Sequence, residues 1–249
     1  MRNQLKILLT VIILVFMTTA CVPHLVPVEE STPESKTTVS VKEDLSEFTQ
    51  IDIEAAGPIY LLQGNTHAIQ IEGPQNLVEN ITYEVRNGVL IVKQSGDIWK
   101  LVAKNDYPTI TISFENLNRF ELKGGSALVA NNLQSDTLSI EIQGGASLDM
   151  DNLNVSTLEV KIEGGTAMDI SGVAETQNLR FSGGASYDAE DLQSSSISLQ
   201  IEGAVSATVW ATETLNLDLT GAYDVKYYGN PSITQDIKGI GNVESLGDK

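Results

Sequence analysis

Cysteine is almost missing from this 249-residue chain: Cys21 is the only one. The body of the protein therefore has no internal disulfide, no thiol nucleophile and no cysteine metal site. Histidine is nearly as scarce. With only His24 and His67, neither a Ser-His-Asp arrangement nor a histidine metal cluster can be assembled. Positive charge is also short, since 15 Lys and Arg face 33 Asp and Glu for a formal net charge of −18. That excludes nucleic acid, whose binding needs basic patches, and disfavours docking on anionic lipid headgroups. Aromatic residues are 6% of the chain and prolines number seven, which suits a regular β-rich protein built from small residues. The apolar run Ile7 to Met17 is eleven residues broken by Thr10, too short to span a bilayer.

What the chain does have is glycine at a fixed interval. Gly-Gly-Ser-Ala-Leu at 124, Gly-Gly-Ala-Ser-Leu at 144, Gly-Gly-Thr-Ala-Met at 164 and Gly-Gly-Ala-Ser-Tyr at 183 are copies of one motif, with weaker copies at Gly203, Gly221 and Gly239. Successive copies lie 18 to 20 residues apart, the signature of a repeat architecture. Before each glycine the chain alternates. Leu138, Ile140 and Ile142 are apolar, as are Leu158, Val160 and Ile162, and Ile197, Leu199 and Ile201, with polar residues between them. A period of two is a half-buried strand, and the three-and-four spacing of a helix is absent. After the glycines the alternation resumes at Leu128, Leu148, Met168 and Tyr187; a further apolar column holds Leu133, Leu153, Val173 and Leu192. Asn131-Asn132, Asp151-Asn152 and Ser171-Gly172 mark a corner before it. Because equivalent residues match, like is expected to lie on like. The all-β fold that does this is a parallel β-helix, a solenoid with about 20 residues per coil.

The remaining chain divides around that block. Arg2 and Lys6 precede the apolar run, and Thr18-Thr19-Ala20 leads into Cys21, so residues 1–20 resemble a bacterial lipoprotein signal with Cys21 as the lipidated residue. Thr18 departs from the aliphatic residue usual there, and loss of Arg2 and Lys6 with the leader would make the net charge −20. Residues 21–46, with Pro23, Pro27 and Pro33 among Glu, Ser, Thr and Lys, read as a disordered tether. Residues 47–249 read as one β-helical domain: an irregular part over 47–114, with a hairpin signal at Arg86-Asn87-Gly88 and a loop holding Trp99, then regular coils over 115–249.

Phe48-Thr-Gln-Ile-Asp-Ile, Gly88-Val-Leu-Ile-Val and the recurrent Gly-Gly-Ala blocks together resemble the bacterial "putative auto-transporter adhesin, head GIN domain" family. The resemblance covers about residues 47–235 and implies an exported or lipid-anchored, right-handed β-helical domain with no known catalytic residue. Several copies here have Gly-Gly or Gly-Ala where the family pattern is often Gly-Ala-Gly, which bears on a bend rather than the fold.

Three groups of residues are candidates for chemistry. Asp149, Asp169 and Asp188 form an outward acidic column, five residues after successive glycines, that a cation such as calcium would bridge; the alternative is a solvated acidic face. Trp210 and Tyr228 share the column seven after the glycine, where stacked rings suit sugar or protein recognition unless they shield the core end. Catalysis has less to build on, because the carboxylates lack a partnered base. The chain is thus expected to be a lipid-anchored, non-enzymatic protein of the bacterial cell envelope, serving adhesion, scaffolding or ligand binding, with no cofactor unless calcium. A carbohydrate-active enzyme on the same fold is the alternative. Its expected partners are a membrane through Cys21, a protein or glycan ligand, and further copies through open solenoid ends; nucleic acid is not among them.

Overall fold

The computed structural model describes residues 37–96 and 107–249. The leader 1–20, Cys21, most of the tether and Trp99 lie outside the described residues. The order of elements is β1 (Thr38–Asp44), β2 (Gln50–Glu54), β3 (Gly57–Gln63), β4 (Ala68–Pro74), the one-turn helix α1 (Gln75–Val78), β5 (Ile81–Arg86), β6 (Val89–Gln94), β7 (Thr109–Phe114), β8 (Arg119–Ala130), β9 (Gln134–Tyr228), β10 (Ser232–Ile237) and β11 (Ile240–Gly247). Strand β1 occupies ground expected to be tether. Its Val39 and Val41 alternate with Thr38, Ser40 and Lys42, and it pairs antiparallel with β4 from Thr38↔Pro74 to Asp44↔Ala68. Tyr83 reinforces it by donating a 2.6 Å hydrogen bond to Glu43, a bond that pushes the phenol up to about 12.

All the strands join one eleven-stranded sheet, whose main path runs β1-β4-β7-β3-β8-β2-β6-β5 with β9 to β11 continuing from β8. The expected right-handed parallel β-helix, and the solenoid description with it, is corrected by this sheet. The ladders β1–β4, β4–β7 and β5–β6 are antiparallel while the others are parallel, so the fold is all-β but a mixed, curled half-barrel. The physical reason is that alternation decides which face of a strand is buried and carries no information on strand direction. Asn87 and Gly88, at φ 53° and 77°, form the tight turn that their sequence suggests. That turn reverses the chain between β5 and β6 instead of carrying it onward. The irregular part over 47–114 therefore does not continue the coils of the glycine repeats: it takes part in all three antiparallel ladders.

Like-on-like register does hold where the period exists. β8 pairs with β9 in parallel from Arg119↔Ser139 to Val129↔Asp149, a constant offset of 20. β10 and β11 pair with the end of β9 at an offset of 18, as in Ile233↔Leu215 and Val243↔Val225. The 95 residues of β9 would reach roughly 300 Å if straight. Instead the run doubles back on itself, so that Gly164 lies against Gly144, Gly183 against Gly164 and Gly203 against Gly183. Gly164 shows why no other residue serves at these bends. Its φ is +144°, and a Cβ there would sit 2.2 Å from the carbonyl oxygen of Gly144.

The core is one continuous cluster. Phe48, Phe114, Phe120, Phe181 and Tyr187 are its largest fully buried side chains, surrounded by the alternating Ile, Leu and Val of every strand. Each such side chain contributes on the order of 1.5–3 kcal/mol by leaving water. One expected column shifts: Val173 is 50% exposed and Ala174 takes the buried place. Within the core, Tyr187 donates to Gln177 Oε1 at 2.7 Å and Gln177 donates to Ser194 Oγ at 2.7 Å, so three buried polar groups satisfy one another.

Candidate functional site

A groove opens where the end of β3 meets the chain that leads into β9. Gln63, at the end of β3, donates through Nε2 to the carbonyls of Glu115 and Gln134, each at 3.0 Å, and accepts from the Gln134 amide at 2.8 Å. One side chain thereby ties together turns 71 residues apart in sequence. Backbone bonds from Asn118 to Thr49 and from Ser139 to Asn118, both 2.9 Å, fix the adjoining floor. The result is a groove of about 740 Å³ lined by Thr49, Asn116, Asn118, Gln134, Ser135, Asn154 and Ser156, with Asp136 as its one carboxylate. Among the described residues, the side-chain amides of Asn116, Asn118 and Asn154 have no protein partner. These are neutral donors and acceptors held on a fixed backbone, the chemistry that recognises hydroxyl groups. Sequence reasoning missed this groove. Its only local signal was the run of Asn and Gln at strand ends, which reads equally well as turn chemistry.

The outward column three residues before the glycines behaves differently. Arg119 bonds Asp52 at 2.8 Å and Glu121 at 2.5 Å, Lys123 reaches Glu121 at 2.7 Å, and Lys161 bridges Glu141 at 3.1 Å and Glu163 at 2.7 Å. Burial opposes ionisation of Glu121, yet the bonds from Lys123 and Arg119 prevail and hold its carboxyl below the usual carboxylate range. Glu141 is held low in the same way, chiefly by Lys161. Lys161–Glu141 joins one repeat to the next and Arg119–Asp52 joins β8 to β2, whereas Arg119–Glu121, Lys123–Glu121 and Lys161–Glu163 lie within a strand.

Asp149 and Asp188 lie near enough to Asp169 for their charges to act on it, and among the described residues none of the three has an ion-pair partner. Asp169 is pushed above the ordinary aspartate value, first by desolvation and then by the charges of Asp188, Asp149, Asp151 and Asp191. Among the described residues no three His, Cys, Asp or Glu side chains are grouped so as to hold a metal ion. Asp151 is drawn instead into corner bonding, accepting from Ser171 Oγ at 3.1 Å.

Trp210 and Tyr228 are both half-buried and both face the Lys249 side chain. The Lys249 ammonium lies 5.7 Å from the Trp210 ring centre and 5.0 Å from that of Tyr228. It also pairs with the Asp191 carboxylate and donates to the carbonyl of Glu190 at 2.8 Å. Nothing in the spacing of Lys249, 58 residues from Asp191, announces this contact.

Comparison with known proteins agrees with this architecture. The family model described as "Putative auto-transporter adhesin, head GIN domain" matches residues 47–231, so the resemblance read from the sequence stands. A crystal structure of a "putative adhesin" from Bacteroides fragilis NCTC 9343 has a TM-score of 0.78 at 27% identity, covering 85% of this chain and 98% of its own. A "putative adhesin" and a "putative lipid binding protein", both from Parabacteroides distasonis ATCC 8503, have TM-scores of 0.62 and 0.64. Each covers 85% of this chain and 98% of its own, and at 18% and 16% identity they speak to the fold alone. No curated protein matches significantly.

Proposed function

The chain belongs to the "putative auto-transporter adhesin, head GIN domain" family, and from that premise we propose that it is an exported, non-enzymatic adhesin of the bacterial cell envelope. In this reading Cys21 carries the lipid anchor, and the ligand is a neutral, hydroxyl-rich glycan held in the groove beside Gln63. The observation that carries the reading is the set of unpartnered amides of Asn116, Asn118 and Asn154 on a backbone pinned by Gln63. Hydroxyl-bearing ligands pair with such groups without burying a charge.

A carbohydrate-active enzyme has weaker support. Glycoside hydrolysis ordinarily needs two carboxylates across the scissile bond, whereas the groove contains Asp136 alone and neither histidine. A second copy on the open edge at β10 and β11, where Ile240 is 86% exposed, is compatible with surface display. Bacteria displaying the wild-type chain are expected to bind immobilised glycans. Cys21→Ser should abolish both labelling with a fatty-acid analogue and cell binding, while the secreted chain keeps its glycan affinity. Binding by cells that persists without labelling would remove the anchor from the account.

A further inference from the structure

We propose that Trp210, Tyr228, Asp191 and the Glu190 carbonyl form a seat for a primary alkylammonium, filled in this structure by Lys249 and taken over by a lysine side chain of a partner protein. The seat lies apart from the groove and does not depend on its ligand. Its contacts divide the work. The two rings, at 5.7 and 5.0 Å, offer their negative faces to the cation. The Asp191 carboxylate and the Glu190 carbonyl, the latter at 2.8 Å, accept N–H bonds. Two N–H acceptors beside two rings suit a primary ammonium, the cation the seat holds here, and exclude a quaternary one, which has no N–H to donate.

The occupant is displaceable on the same evidence. The Lys249 side chain keeps 29% of its surface exposed, and the Asp191 side chain 64%. A protein is the partner favoured by charge, because a chain of net charge −18 draws basic surfaces towards it. Lys249 is then an internal competitor that sets a threshold for binding.

The test uses the full-length chain in a non-ionic detergent, with Trp99→Phe so that Trp210 alone emits. Nα-acetyl-lysinamide is titrated while fluorescence is followed. Lys249→Ala should open the seat, giving saturable change at least about tenfold tighter than in the parent, and Asp191→Asn added to it should weaken binding about tenfold or more. Nα-acetyl-norleucinamide and tetramethylammonium should leave the emission unchanged. Circular dichroism melts check that each variant folds. A folded Lys249→Ala chain without saturable binding, or with equal response to tetramethylammonium, overturns the proposal. Basic-protein capture that Lys249→Ala increases and Asp191→Asn removes supports the protein partner; free amines binding while lysine-bearing proteins do not would overturn it.

Discussion

The two ends of this sheet reach the same alternating strands by opposite routes. From β1 to β7 the ladders change direction, parallel in β2–β6 and β3–β7 but antiparallel in β1–β4, β4–β7 and β5–β6, and no fixed offset relates one strand to the next. From β8 onward each repeat is laid on the one before it, so every position is constrained by a neighbour 18 to 20 residues away. The difference teaches that stacking makes backbone spacing, rather than side-chain packing alone, the quantity that the later half cannot vary.

Glycine substitutions should break that comparison most sharply. Gly164→Ala places a Cβ 2.2 Å from the Gly144 oxygen and is expected to cost about 3 kcal/mol or more, lowering the melting midpoint by roughly 6–12 °C. Gly88→Ala, in the hairpin, has φ +77° and nothing within 4 Å; about 1 kcal/mol is expected from backbone strain alone. Equal losses in thermal melts would contradict the distinction.

Next in size is the ion-paired column. Glu121→Gln leaves Arg119 and Lys123 short of a partner and should cost about 1–3 kcal/mol at pH 7. Because Glu121 is held below its unfolded value, its stabilisation is present above the unfolded pKa and is lost as pH falls through the folded one. The variant and parent should therefore converge in acid. Tyr187→Phe is expected to cost about 1–2 kcal/mol by leaving the buried Gln177 oxygen without its donor, measured by denaturant unfolding.

The smallest effect has the opposite sign. Asp169 is raised above its unfolded value, so the folded chain holds this proton more tightly and gains stability as pH falls towards 3.8. Asp169→Asn should raise the midpoint slightly at pH 7 and low salt, with the gain fading at high ionic strength and in acid. A lower midpoint would point instead to a cation bridging the column.

Much of the repeat half was legible because its signals are local. The apolar columns at Leu138, Ile140 and Ile142 and the glycine at each bend follow from period and spacing. Direction was not legible, since Ile69 and Ile71 alternate identically whether β4 runs with β7 or against it. Strand β1 was hidden by composition, its valines lying among residues that usually mark a tether. At the corner after Gly172 two apolar residues are adjacent, so spacing alone does not tell that Ala174 rather than Val173 is buried. The groove and the lysine seat were invisible for a simpler reason: Gln63 meets Gln134 across 71 residues and Lys249 meets Asp191 across 58. Only the folded chain creates those meetings.

The measurement that bears most directly on the account is binding of the purified full-length chain to a glycan array, beside an Asn118→Ala/Asn154→Ala variant with an unchanged melting midpoint. Saturable binding to neutral glycans by the parent, lost in the variant, is the predicted result. Binding that the variant retains, or no glycan binding by the parent, would contradict a groove built for hydroxyl-rich ligands.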